Sequence, residues 1–146
     1  MSTFREDQNV RLNHQQARGI VIHERKLLVM FRRNNDEEYY VLPGGHLRID
    51  ESPERACVRE IKEETTINVK IEKILYEIMD NTKNKPRKEY YFLCQYVSGT
   101  PTLSGEESRR NTESDYYQPQ WITLESLELG VFYPLFLKEW IRENIY

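Results

Sequence analysis

Glu60, Glu63 and Glu64 stand at i, i+3 and i+4 in the segment GHLRIDESPERACVREIKEETTI, Gly45 to Ile67, with Arg59 directly before them and Glu51 further upstream. On a helix turning 100° per residue the three glutamates span about 100° of surface, so their carboxylates converge on one spot. Like charges within a turn repel and destabilise a helix. A divalent cation among them gives the arrangement a use. Hard ions such as Mg2+ take oxygen ligands and are commonly held by a few carboxylates plus substrate phosphates. An acidic helical patch alone is more often a solvated face, so the surrounding elements have to decide.

The helix that carries these residues has a clear start. Ser52 can cap its free N–H groups, Pro53 suits the first helical position, and Glu54 complements the positive end of the dipole. Cys57, Val58 and Ile61 form an apolar flank, while Arg55 and Lys62 face away from it. Ala56 falls one turn before Glu60 on the carboxylate face, where a small side chain leaves room for an ion or a substrate. Before the helix, Pro43-Gly44-Gly45 implies backbone conformations that other residues avoid, or the close approach of a ligand.

Ile20 to Ile22 and Leu27 to Phe31 read as strands joined by a turn at His23-Glu24-Arg25, and Tyr39 to Leu42 as a short strand after Asn34-Asn35-Asp36. Beyond the helix, Val69 to Ile78 and Tyr90 to Val97 form two long strands. The run from Ser98 to Gln120 lacks any strand or helix pattern and reads as a lid, a binding loop or a disordered segment. Trp121 to Thr123 adds a short strand. Pro134 to Tyr146 forms a helix with Leu137, Trp140 and Ile141 on one face. Residues 1–146 read as one domain, with 1–10 as a flexible or strand-like arm. The expected class is α+β, two helices around an antiparallel or mixed sheet.

A net charge of -3 with 31% charged residues argues against a nucleic-acid polymer, which favours a basic face. No apolar run is long enough to cross a bilayer, and MSTFREDQNV lacks the apolar centre of a signal peptide. A cytoplasmic location is the expectation. Cys57 and Cys94 are the two cysteines. Both read as buried thiols, neither a disulfide nor a nucleophile.

Taken together, Gly45, Glu51, Arg59-Glu60-Ile61, Glu63-Glu64 and Ile67 resemble the signature of the Nudix hydrolases, G-x5-E-x7-R-E-U-x-E-E-x-G-U, where U is a bulky aliphatic residue. The resemblance implies an α/β/α sandwich with a mixed central sheet. It implies an enzyme that cleaves, with Mg2+ or Mn2+, the diphosphate linkage of a nucleoside diphosphate linked to another moiety. The small-molecule phosphate substrate is then a nucleotide, a nucleotide sugar or a related metabolite. By the family's pattern, Glu60 and Glu64 correspond to the principal metal ligands, joined by the carbonyl of Gly45. Glu63 corresponds to a carboxylate that binds a further ion or acts as the catalytic base, with Glu106, Glu107 and Glu113 as rivals. Glu51 and Arg59 correspond to a pair that braces the loop against the helix. Homodimers are frequent among relatives.

The chemistry expected is water attack on phosphorus without a covalent intermediate, a carboxylate taking the proton. Arg32, Tyr40 and His46 are candidates for contacting the substrate: the arginine through phosphate, the tyrosine by stacking, the histidine by its place beside Gly45. A non-catalytic sensor built on the same domain is the alternative, although the retained glutamates favour an enzyme. A structural protein with an acidic helix would leave the glycine and arginine unexplained. Thr66 departs from the pattern, standing where the family has glycine. A β-branched residue with positive φ is costly, so the helix is expected to end differently here.

Overall fold

Alternation along β1 (Arg11–His23) sends Ala17 and Val21 into one apolar cluster and Ile20 into another, as successive side chains of a strand must diverge. The computed structural model describes residues 11–81, 86–102, 111–112 and 115–145. The expected arm at residues 1–10, the rival bases Glu106, Glu107 and Glu113, and Tyr146 lie outside the described residues. β1 turns at Glu24 and Arg25, both at positive φ, into β2 (Lys26–Asn34). A second such turn at Asn35 and Asp36 leads to β3 (Glu37–Val41). Two-residue hairpin turns require this geometry at both central positions.

The order continues through β4 (Gly44–Arg48), α1 (Pro53–Thr65), β5 (Asn68–Asp80), β6 (Arg87–Ser98), β7 (Asp115–Thr123), α2 (Leu124–Leu129), β8 (Phe132–Tyr133) and α3 (Phe136–Asn144). The strands run β5-β6-β1-β2-β3-β8, with β4 beside β1 and β7 beside β2. β1 and β6 are parallel, as are β3 and β8, and the other pairs are antiparallel. The sheet is therefore mixed. Ala56, Cys57 and Ile61 of α1 bury against Ala17, Val21 and Phe92. Leu124, Leu127, Leu137 and Ile141 of α2 and α3 bury with Ile20, Val29 and Tyr91. Helices thus cover both sides of the sheet, the α/β/α layering of an α+β fold. None of the helices among the described residues is long and apolar enough to cross a membrane.

Four elements depart from the sequence expectation, the short β8 among them. β4 was hidden in Gly44-Gly45, which reads locally as a turn; Gly44 does sit at φ +149, where a Cβ would collide with the carbonyl oxygen of Ala17, yet it pairs with Arg18. β7 starts at Asp115, inside the run read as patternless, and extends through Pro119. Among the described residues β7 pairs with β2 alone, and an edge strand tolerates a proline because its outer side forms no ladder. The short α2 was not foreseen. Thr123 caps it by accepting from the N–H of Ser126 at 3.1 Å.

Among the described residues β5 pairs only with β6, and its register shifts at three places along the strand. Lys70, Glu72, Lys73 and Glu77 are exposed on it, beside the exposed apolar Ile74 and Met79.

Helix α1 ends in the left-handed conformation despite the missing glycine: Thr66 has φ 64 and ψ 9, with its N–H donating to Lys62 O at 2.9 Å. The expectation that the helix would end differently is thereby corrected. Left-handed backbone costs a β-branched residue about 1–2 kcal/mol. The hydroxyl offsets this by donating to Thr100 O at 2.6 Å and meeting Thr102 Oγ1 at 3.2 Å. Thr66→Ala keeps the strain and loses those bonds, so it should destabilise the fold by about 1 kcal/mol. Thr66→Gly relieves the strain as it loses them and should stay within about 1 kcal/mol of the parent. Urea melts of both variants check this; a larger loss for glycine than for alanine would contradict it.

Candidate active site

Ser52 starts α1 by accepting from the N–H of Arg55 at 3.2 Å, which fixes where Arg59 emerges one turn later. Its guanidinium then ties three pieces of chain together. Nε and Nη2 grip the two oxygens of Glu51 at 2.7 and 2.9 Å, and Nη2 also donates to the carbonyl of His46 at 3.0 Å. Nη1 donates to Glu60 at 2.9 Å and to Glu63 at 3.0 Å. Glu51 accepts a further bond from the N–H of Arg48 at 2.9 Å. Loop, strand β4 and helix α1 are joined at one fork, a geometry that lysine's point charge does not reproduce.

The hydrogen bond from Arg59 holds the Glu51 carboxyl below its ordinary value of 4.5, against the opposing effect of burial. The same bond raises Arg59. A carboxylate with a depressed folded pKa stabilises the protein above its unfolded value, and that contribution disappears as pH falls through the folded value. Stability should therefore decline with acidification below about pH 4.5. In Glu51→Gln that part of the slope should be missing. Urea midpoints across an acid series measure it, and parallel slopes for parent and variant would contradict the linkage.

Beside this fork lies a cleft of about 460 Å3. β1, β4 and α1 contribute Gln16, Arg18, Gly44, Gly45, His46, Glu60 and Glu64 to its lining. Arg18 donates to Leu42 O at 2.9 Å and to Gln16 Oε1 at 3.0 Å, while Gln16 Nε2 meets His46 Nε2 at 3.2 Å. The N–H of Gly44 points at Glu64 Oε1, 3.4 Å away. A Cβ at residue 45 would stand 2.6 Å from the Glu60 carboxyl, so only glycine lets the main chain lie against that carboxylate. β2, β3 and β7 contribute Met30, Arg32, Tyr39, Val41, Asp115 and Tyr117.

Of the three glutamates, two border the cleft and the third meets Glu60 at Arg59 Nη1. Glu60 and Glu64 line the cleft, whereas Glu63 is 46% exposed and turned to Arg48 at 3.5 Å and to Arg59. Among the described residues no three His, Cys, Asp or Glu side chains form a ready metal cage. Two carboxylates beside peptide groups nevertheless fit a hard divalent cation of the Mg2+ type, which is usually held by one or two carboxylates and completed by substrate phosphates and water. Ala56 does not open onto the cleft. It is fully buried against the sheet, because it shares the apolar flank with Cys57.

Of the residues expected to contact a substrate, Arg32 and His46 line the cleft and Tyr40 does not. Strand alternation turns Tyr40 to the other face, where it packs against Phe31 at 5.7 Å between centroids and joins the α2–α3 core. Tyr39 lines the cleft in its place. Gln16, Arg18, Asp115 and Tyr117 were missed. The signal for Asp115 and Tyr117 was the alternation of DYYQPQWIT, masked by Pro119. Cys57 and Cys94 are buried free thiols with their sulfurs 3.9 Å apart. The hydrogen bond between them and burial push the Cys57 thiol up, which leaves it unreactive.

Comparison with known proteins finds that the NUDIX domain family matches residues 13–143. A MutT-like protein of Streptomyces ambofaciens is 32% identical over 90 residues, 62% of this chain and 56% of that protein. An ADP-ribose pyrophosphatase of Methanocaldococcus jannaschii is 41% identical over 58 residues, 39% of this chain and 34% of that protein. The chain thus spans little more than half the length of the curated relatives it matches, or less. Among solved structures, a NUDIX-family hydrolase from Clostridium perfringens superposes with a TM-score of 0.67 at 15% identity, covering 91% of this chain and 98% of that one. That likeness is one of fold.

Proposed function

This chain belongs to the NUDIX family, and from that premise we propose that it hydrolyses the diphosphate linkage of a small nucleotide-type substrate with the help of Mg2+ or Mn2+. The observation that carries the reading is the shared cleft: Glu60, Glu64 and the peptide of Gly44-Gly45 border the same space as the cationic Arg18. When bound there, the cation would neutralise the diphosphate and acidify a water for attack on phosphorus.

The chain's own residues do the rest. Glu60 and Glu64 supply the carboxylate ligands, with the carbonyl of Gly45 beside them. Arg59, braced on Glu51, holds Glu60 in place. Arg18, fixed by Leu42 O and Gln16, brings positive charge toward the phosphates and lowers the cost of gathering anions in one site. A carboxylate bordering the cleft takes the proton from the attacking water. Glu63 serves instead as an outer carboxylate that steers Arg59, a role supported by its pairing with Arg48 and Arg59.

A curated relative is named ADP-ribose pyrophosphatase, and ADP-ribose is accordingly one substrate to try first. The decisive measurement is product formation by the purified chain with Mg2+ or Mn2+, read by chromatography as phosphomonoesters or pyrophosphate. Free phosphate is no readout here, because cleaving the diphosphate of ADP-ribose or a nucleotide sugar yields two phosphomonoesters and none of it. The panel comprises nucleoside triphosphates, modified nucleotides, ADP-ribose, dinucleoside polyphosphates and nucleotide sugars. Turnover of at least one compound, abolished by a chelator, is expected. Tight binding across the panel without turnover would replace the hydrolase by a ligand sensor.

A further inference from the structure

The register of three neighbouring strands sets Tyr117 of β7, Arg32 of β2 and Tyr39 of β3 in one row, since Arg32 pairs with both tyrosines. Residues paired across a sheet project to the same face, and all three line the cleft. The row beyond it brings Met30 opposite Val41, both also in the lining. One side of the cleft is therefore lined by two phenol rings, a guanidinium and two apolar side chains, unlike the carboxylate and peptide side across from it. Arg32 lies over the Tyr117 ring at 5.3 Å. Its Nη2 is 3.6 Å from Asp115 Oδ1, beyond hydrogen-bond length. Its Nε is buried with no hydrogen-bond acceptor among the described residues. A buried donor of this kind calls for a partner that the described residues do not supply.

A phosphate would satisfy the charge of Arg32 and leave the rings without a role. A sugar can lay its C–H face on the rings, but it offers no planar ring acceptor to the guanidinium and no ring N–H to Asp115. A planar heterocycle uses all of it: its face stacks on the tyrosines, its ring acceptor takes the guanidinium donors, and an adjacent ring N–H reaches Asp115. We infer that Tyr39, Arg32 and Tyr117 with Asp115 form the specificity platform for the base of the substrate, Arg32 reading the base rather than gripping phosphate. This rests on the hydrolase reading above.

The test compares the nucleotide turned over best in the Mg2+ panel with the ribose phosphate carrying the same phosphate chain and no base. The parent protein should prefer the nucleotide in kcat/KM by on the order of 10-fold or more, the worth of stacking one base. Tyr117→Leu and Arg32→Lys should shrink that ratio, chiefly through KM, and Tyr117→Phe should keep it. The inference is overturned if the parent does not discriminate, or if Arg32→Lys weakens both compounds equally and leaves the ratio untouched. Should no nucleotide be turned over, the hydrolase reading fails on its own. Equilibrium binding of ADP-ribose against ribose 5-phosphate then decides the platform: tighter nucleotide binding that weakens in Tyr117→Leu upholds it, and equal binding overturns it.

Discussion

Glu64→Gln should lower turnover by about 10²- to 10⁴-fold, the range for removing a positioned acid–base or electrostatic group, while the melting temperature moves little. The two side chains are nearly isosteric, and the amide oxygen can still accept the N–H of Gly44 that faces Glu64 Oε1 at 3.4 Å. What disappears is the negative charge bordering the cleft beside Gly44 and Gly45. A cation bound there loses a ligand, and the diphosphate loses its neutralisation. Glu63→Gln, at a position more exposed and paired outward, should cost far less. Steady-state rates for the two variants under saturating Mg2+ give the comparison. Near-parental activity in Glu64→Gln would refute the assignment of the site.

Arg59→Ala should be the most destabilising change at the site. The guanidinium serves Glu51, Glu60, Glu63 and the carbonyl of His46 at once. Side chains of Glu51 and Glu60 are only 13% and 16% exposed, so truncation takes the Arg59 cation away from two carboxylates in a poorly hydrated place. Breaking such a pair from one side costs about 3 kcal/mol at the partly wet end of the range, which for a domain of this size lowers the melting temperature by about 10 °C. Arg59→Lys should recover only part, because an ammonium cannot hold both oxygens of Glu51 and still reach His46 and Glu60. Adding Glu51→Gln to Arg59→Ala removes one of those two charges, so the double variant should be more stable than the single one. If the double variant is the less stable, the clamp is not what holds this corner together.

The helix and its carboxylates were legible because they are local. The cap at Ser52, the phase of Cys57 and Ile61, and the spacing of Arg59 and the glutamates all lie within a few turns of chain. The cleft's other side was not legible, because it depends on which residue of β2 faces which of β3 and β7. A shift of one residue separates Tyr39 in the cleft from Tyr40 in the core, and nothing local fixes that phase. Glu63 could not be told from Glu60 and Glu64 by angle alone; the neighbouring Arg48 draws it outward. Thr66 kept the left-handed turn because Thr100 and Thr102, distant in sequence, reward its hydroxyl. Propensity read one residue at a time has no access to such a partner.

The broken register and exposed charges of β5 bear on how copies of the chain meet one another. A strand of this length whose outer edge has no partner among the described residues is an invitation to another chain, and a flat one would template fibres. Three register shifts in its pairing with β6 kink the strand, and Lys70, Glu72, Lys73 and Glu77 put charges along it. A second molecule adding a strand there would desolvate those charges and face a crooked row of hydrogen-bonding groups. Ile74 and Met79 are therefore exposed on a border that disfavours the edge-to-edge addition of a second chain.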